Sequence, residues 1–341
     1  MKEINTLLNE NSNVLFIAPT GWGKTTLLLD LVRDSKRSWV YLAPLRALAN
    51  EFYLRTHKVR GSVLIKSNKE LREFVAGGLD FKLLIITPEL LSAEAFSLIG
   101  TKSEVNYVFD EIHLFYYWGM SFRPKLRDCI EEILARENST LSLTATMDSD
   151  ILESWNQDVK RGLDNNFIIN LKNHSLKKDP KRSCFIPRAL KRKFLSHLEF
   201  IPTKHAKLIF CPYRQEVHKL ASDLESRGFK VLSCVGGETM SFGLQLSLCS
   251  TPDFIICTSA LSHGVNLPMI SIVYISYKLD NFDFWIQMIG RAGRRGEEFV
   301  VYSEDHKFLT YNQKVYSIVY LLFMKLKNMI YPYELRRYIN S

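Results

Sequence analysis

Short apolar runs alternate with longer amphipathic stretches along this chain. Residues 14–18 (VLFIA), 39–43 (WVYLA), 83–87 (LLIIT), 107–110 (YVFD) and 140–144 (TLSLT) are almost continuously apolar. That is the pattern of strands covered on both faces. Residues 25–33, 45–55 and 123–136 instead repeat their apolar positions at helical spacing. A second series begins near Lys207, with apolar runs at 207–211, 230–234, 254–258, 272–275 and 299–302. Helical patterns at 215–227 and 282–289 separate these runs. Strand–helix alternation of this kind predicts α/β architecture, here two tandem domains, each a mainly parallel sheet flanked by helices.

The expected division is a first domain over residues 1–170, a linker over 171–194, a second domain over 195–304 and a short helical extension over 305–341. The linker assignment rests on composition. Residues 170–194 hold nine Lys or Arg against the single Asp179, with prolines at 180 and 187. Such a run is either a solvated tether or a hinge that faces phosphates. After Gly296 the pattern suggests one strand and two helices. The apolar stretch 315–324 reads as a buried helix, too short to span a bilayer, so no membrane partner is expected.

Charge sharpens the choice of partner. The chain has 341 residues, a net charge of +9 and a pI near 9.1. A basic balance favours an anionic partner, nucleic acid first, although it also suits an ordinary basic protein. The six cysteines are scattered without C-x-x-C spacing, so neither a zinc site nor a thioredoxin-type motif is indicated. Cys211 and Cys257 lie in apolar runs and are expected as buried thiols. That suits a reducing compartment, and residues 1–13 contain no apolar signal core. The expected location is cytoplasmic.

Two motifs carry the chemistry. APTGWGKTT, residues 18–26, follows a predicted strand and opens a predicted helix, the context of a phosphate-binding P-loop. Gly21 and Gly23 permit the tight turn that aims backbone N–H groups at phosphate oxygens. The helix N-terminus at Thr25 and Thr26 adds partial positive charge. Lys24 would reach the β- and γ-phosphates of ATP, and the Thr25 hydroxyl would ligate Mg²⁺. The strict pattern has Gly where Ala18 stands. The second motif, DEIH at 110–113, ends a predicted strand. Ligands of open α/β sheets bind at that edge. Asp110 can therefore complete the Mg²⁺ shell, and Glu111 can orient or deprotonate the attacking water.

The ordered set of motifs resembles superfamily 2 helicases, from about residue 14 to residue 296. APTGWGKT is similar to motif I, APLRALANE (43–51) to motif Ia, TPELL (87–91) to motif Ib, DEIH to motif II and TAT (144–146) to motif III. IFCPYR (209–214), TSALSHGVNLP (258–268) and QMIGRAGR (287–294) are similar to motifs IV, V and VI. Aromatic residues after DEIH, with Trp118-Gly119 and Phe122-Arg123-Pro124, resemble the aromatic-rich loop of RecQ-family DNA helicases. SHGVNLP and QMIGRAGR are also similar to exosome-associated DExH RNA helicases. No upstream adenine-gripping motif, RecQ zinc module or winged-helix-sized region is recognisable.

The resemblance implies roles for single residues. Arg291 and Arg294 would stabilise charge on the transferred phosphoryl group. Gln287 would meet His113 and sense closure of the two domains. Gly264 and Asn266 would approach the nucleotide. Arg46, Thr87 and Thr258 would hold strand phosphates, which positions a strand without reading its bases. Trp118 and Phe122 would stack on unpaired bases, and Arg123 would pair back toward the acidic ATP site. Phe115 and Tyr117 are expected to pack inward. Hydrolysis in a cleft between the domains would then drive steps along one strand, 3′→5′ by family analogy. Single-stranded DNA is the favoured polymer and RNA the alternative. A third expectation is a nucleic-acid-stimulated ATPase that remodels or recruits a partner. A monomer is expected, with a protein partner supplying the missing accessory domain.

Overall fold

A computed structural model describes residues 2–56, 59–78, 80–91, 93–100, 104–136, 138–249, 251–262 and 265–330. The chain divides into two compact units, residues 1–177 and 178–341.

The first unit carries β1 (Asn13–Ile17), β2 (Ser38–Leu42), β3 (Ser62–Leu64), β4 (Leu83–Ile86), β5 (Val105–Asp110), β6 (Thr140–Thr144) and β7 (Asn166–Asn170). They form one sheet in the order β3-β4-β2-β5-β6-β1-β7, and every neighbouring pair is parallel. Successive side chains on a strand point to opposite faces. Leu15 and Ile17 of β1, Val40 and Leu42 of β2, and Leu84 and Ile86 of β4 enter one core. Val14, Phe16, Trp39, Tyr41, Leu83 and Ile85 enter the other. Both faces being covered explains why these strands read as unbroken apolar runs.

The second unit carries β8 (Arg182–Phe185), β9 (Ala206–Phe210), β10 (Val231–Cys234), β11 (Phe254–Cys257), β12 (Ile270–Ile275) and β13 (Val300–Ser303). Their order is β10-β11-β9-β12-β13-β8, again with parallel neighbours. Cys211 and Cys257 are buried, as expected of their apolar surroundings.

Two expectations are corrected. The basic stretch 171–194 is not a tether throughout, because β8 pairs with β13 and the helix Lys191–Phe200 follows it. Ser183, Cys184 and Ile186 are buried, and Phe194 and Leu198 anchor the helix. Its charged residues flank these anchors and masked them in the composition. The stretch 315–324 is helical, within Tyr311–Ile330, but it is not buried. Val315, Ile318, Val319, Leu322 and Phe323 are all exposed. A single helix is present after β13 among the described residues, and residues 331–341 lie outside them. No helix among the described residues is long and apolar enough to cross a membrane.

Candidate functional site

The P-loop occupies the turn between β1 and the helix Lys24–Asp34. Gly21 and Gly23 have φ of 76° and 110°. These left-handed values strain any residue with a Cβ. Ala18, at the position where Gly is usual, points its methyl into the core and donates its N–H to the Thr144 carbonyl at 3.0 Å. The core has room for the methyl at this position. Lys24 Nζ donates to the carbonyls of Ala18 at 2.8 Å and Pro19 at 3.4 Å. Thr25 is half-buried and Thr26 exposed at the helix start.

DEIH follows at the carboxyl end of β5, with β6 between it and β1. Asp110 Oδ2 accepts from the Tyr41 hydroxyl, and Oδ1 accepts from the Glu111 N–H at 3.1 Å. Burial, followed by the neighbouring Glu111 charge, pushes the Asp110 carboxyl up to about 6, against the pull of Tyr41 and Lys24. Tyr41 is itself stacked on Phe52, ring centroids 3.9 Å apart.

Glu111 has φ of 50°, a left-handed conformation unusual for a residue with a side chain, and it caps the helix Ile112–Gly119. Its Oε2 is buried, makes no hydrogen bond among the described residues, and lies 3.6 Å from His113 Nδ1. His113 is fully buried, with Nδ1 2.8 Å from Thr144 Oγ1. The Thr144 hydroxyl donates to the Thr146 carbonyl at 2.6 Å and accepts the Thr146 N–H at 3.2 Å. A hydroxyl has one proton to give. With that proton on the Thr146 carbonyl, His113 Nδ1 is the donor to Thr144.

The residues expected on the nucleic acid divide. Arg46 opens the helix Arg46–Thr56 after β2 and is exposed. Thr87 follows β4 directly and is only 3% exposed, a buried position. The aromatic stretch is a helix followed by a turn rather than a loop. Phe115 is fully buried as expected, Tyr117 is half-buried and reaches Asp148 through its hydroxyl at 3.2 Å, and Tyr116 is buried as well. Trp118 is half-buried, and its carbonyl accepts the N–H groups of Ser121, Phe122 and Arg123. The turn therefore winds tightly on Trp118, with Met120 and Phe122 at its tip, 77% and 68% exposed.

Arg123 does not pair with the DEIH carboxylates. Its Nε donates to Glu89 at 2.7 Å, its two terminal nitrogens bond Glu89 and the Pro44 carbonyl, and its guanidinium lies 5.4 Å from the Trp118 ring centre. Glu89, just after β4, is the carboxylate this turn reaches. Arg123 thus fastens together the segments that follow β2, β4 and β5. Sequence reasoning missed both Glu89 and Tyr41. Glu89 lay in plain view within TPELL, whereas Tyr41 was hidden in an apolar run.

In the second unit, Gln287 is buried on the helix Phe282–Ile289. Arg291 is 6% exposed and donates to the carbonyls of Ser262 and, at 2.9 Å, Val265. Arg294 is half-buried, with Nε on the Gly290 carbonyl at 3.0 Å. Thr258 is half-buried at the end of β11 and its Oγ1 accepts the Ala260 N–H. Asn266 is exposed, and Gly264 lies outside the described residues.

The oxygen donors near the P-loop fit Mg²⁺. Magnesium takes one or two carboxylates together with substrate phosphates rather than an all-protein cage. A buried Asp110 whose charge is penalised by its surroundings, on the same carboxyl edge of the sheet as the P-loop helix that Thr25 helps to open, is a donor set of that kind.

Comparison with known proteins places these features in a family. The model described as DEAD/DEAH box helicase matches residues 1–154, and the helicase conserved C-terminal domain matches residues 191–296. The chain is 24% identical over 335 residues to the ATP-dependent RNA helicase dbp3 of Aspergillus terreus, covering 86% of this chain and 64% of that protein. It is 25% identical over 315 residues to the probable ATP-dependent DNA helicase RecS of Bacillus subtilis, covering 87% and 61%. It thus spans less than two thirds of the length of either relative. Among solved structures, S. cerevisiae Dbp5 bound to RNA and ADP BeF3 has a TM-score of 0.69 at 20% identity, covering 91% of this chain and 83% of that one. Mss116 bound to ssRNA and UDP-BeF has a TM-score of 0.69 at 19% identity, covering 89% and 68%. At such identities the likeness is one of fold, two tandem RecA-like domains. With both domain models matched in order on two parallel sheets, the chain belongs to superfamily 2 of the helicases.

Proposed function

We propose that the protein is an ATP-dependent helicase or translocase that hydrolyses ATP while it holds a single strand of nucleic acid. The observation that carries this reading is Glu111. It is held in a left-handed turn beside Asp110, with a buried carboxylate oxygen that makes no hydrogen bond among the described residues. In this role Lys24 and the P-loop amides hold the ATP phosphates. Thr25 and Asp110 would hold Mg²⁺, which when bound offsets charge on those phosphates. Glu111 accepts the proton of the attacking water. His113, fixed by Thr144, links that event to the segment after β6. The charge that develops on the phosphoryl group calls for an arginine from the second unit. Arg294 suits the task better than Arg291, whose guanidinium is buried on carbonyls of the 262–265 segment.

RNA is the first reading for the polymer, supported by the DEAD-box neighbours solved with RNA. Single-stranded DNA is the second, supported by the RecS match and by the RecQ-like aromatic segment. Steady-state ATP turnover with single-stranded RNA, single-stranded DNA and no polymer separates them. Equal turnover in all three would reject coupling to a strand. A strand-displacement assay then distinguishes unwinding from movement or partner remodelling alone.

A further inference from the structure

The helix Tyr311–Ile330 has two apolar faces, and only one is used. Tyr316, Ser317, Tyr320 and Leu321 turn toward the second unit, where the three apolar side chains pack against its core. Polar bonds lock that rotation. The Ser317 hydroxyl accepts the Phe185 N–H of β8 at 2.8 Å, and Arg182 donates to the Tyr316 hydroxyl at 2.8 Å. The helix therefore cannot roll to hide its other side.

That other side presents Tyr311, Val315, Ile318, Val319, Leu322 and Phe323, each between 43% and 80% exposed. A helix lying on a domain surface normally shows charged or polar residues outward. Tyr311, Val315, Ile318 and Leu322 are spaced four, three and four apart, the seam spacing of paired helices, and Val319 and Phe323 widen the seam. Together they form an apolar patch of roughly several hundred Å², the size that marks an interaction site. Its charge is one-sided: the helix contains Lys314, Lys325 and Lys327 and no Asp or Glu.

We propose that this face docks an amphipathic helix of another protein, one whose apolar seam is flanked by Asp or Glu. A second copy is disfavoured because a helix sequence with lysines and no Asp or Glu offers another copy of itself no opposite charge. β-Branched residues on the seam suit side-chain interdigitation with a helix better than burial in lipid, where aromatic anchors and a strongly basic face are usual. The docking surface does not depend on the ATP site and goes beyond the helicase reading.

The test uses the full chain and two labelled helical peptides of about four heptads, with one Leu/Ile seam and either Glu or Lys flanks. Fluorescence anisotropy should show the Glu peptide binding, and binding weakening as ionic strength rises. The double variant Ile318→Glu, Leu322→Glu should lose at least about tenfold in affinity for it, with ATP turnover unchanged. The Lys peptide should bind at least about tenfold more weakly. Equal binding of the two peptides, or indifference to the double substitution, overturns the proposal. So does self-association in sedimentation, or adsorption to anionic phospholipid vesicles, that the double substitution abolishes; these would assign the face to a second copy or to a membrane.

Discussion

At the residue scale, the site is a set of buried polar groups held in place by neighbours that do no chemistry. Asp110 is gripped by Tyr41, and His113 by Thr144. A general base contributes on the order of 10²–10⁴ in rate, so Glu111→Gln should lower ATP turnover by at least about 100-fold. Nucleotide affinity, read by a fluorescent ATP analogue, should change little. Unaltered turnover would remove Glu111 from the mechanism. The two arginines of QMIGRAGR should separate by readout. Arg294→Ala should reduce kcat while leaving thermal melting alone. Arg291→Ala should also lower the melting of the second unit, because it strands the carbonyls of Ser262 and Val265. Matching profiles for the two variants would refute this division. Asp110, Glu111 and Lys24 were legible because motif spacing and chemistry coincide. The grips on them were not, since a hydroxyl such as Tyr41 carries no signal within an apolar strand.

At the element scale, the carboxyl edge of the first sheet sets the two groups of proposed site residues apart. β1 and β6 carry the P-loop and Thr144, β2 and β4 lead to Arg46 and Glu89, and β5 lies between them with DEIH. The helix Ile112–Gly119 runs from DEIH to the exposed turn. Gly119 is required there, because a Cβ would lie 2.8 Å from Arg127 Cβ on the next helix. Of the two aromatics proposed to stack on bases, Phe122 at the tip is the exposed one, and Trp118 is half-buried beneath the turn. Phe122→Ala should therefore weaken strand-stimulated turnover with basal turnover intact. Arg123→Ala should do the same by loosening the turn from Glu89 and Pro44. A basal rate that falls as far as the stimulated rate would contradict both. Nearby, Arg127 donates to both oxygens of Asp158, which is 2% exposed and also bonds Tyr116. Arg127→Met leaves the buried carboxylate with only the more distant, exposed Arg161 guanidinium at 3.9 Å and should destabilise the first unit by about 3 kcal/mol, measured by urea unfolding.

Strands were read unevenly, for a physical reason. The ten strands expected from apolar runs are present within a few residues of their expected ends. The three that were missed, β3, β7 and β8, all lie at sheet edges. An edge strand is covered less completely, so its sequence need not be apolar throughout. β7, NFIIN, is half-buried or exposed along its whole length.

At the scale of the whole molecule, the chain carries two parallel sheets of related plan, one in each unit. The fold class was legible because the central strands are buried on both faces and several of the crossover helices, such as Arg214–Ser226 and Phe282–Ile289, keep their apolar positions at helical spacing. The character of the C-terminal helix was not legible. An apolar run reads as buried whether its cover is this chain or a partner, and here one face is covered by this chain and the other is exposed. The central claim concerns coupling between ATP and a strand. Its most direct test is ATP turnover of the full chain, with and without saturating single-stranded RNA or DNA, for the native protein and for Glu111→Gln. The account predicts that one polymer raises native turnover by at least about tenfold, with RNA the stronger activator, and that the variant stays near background with either. Turnover that neither polymer alters, or a polymer-stimulated rate that survives Glu111→Gln, would contradict it.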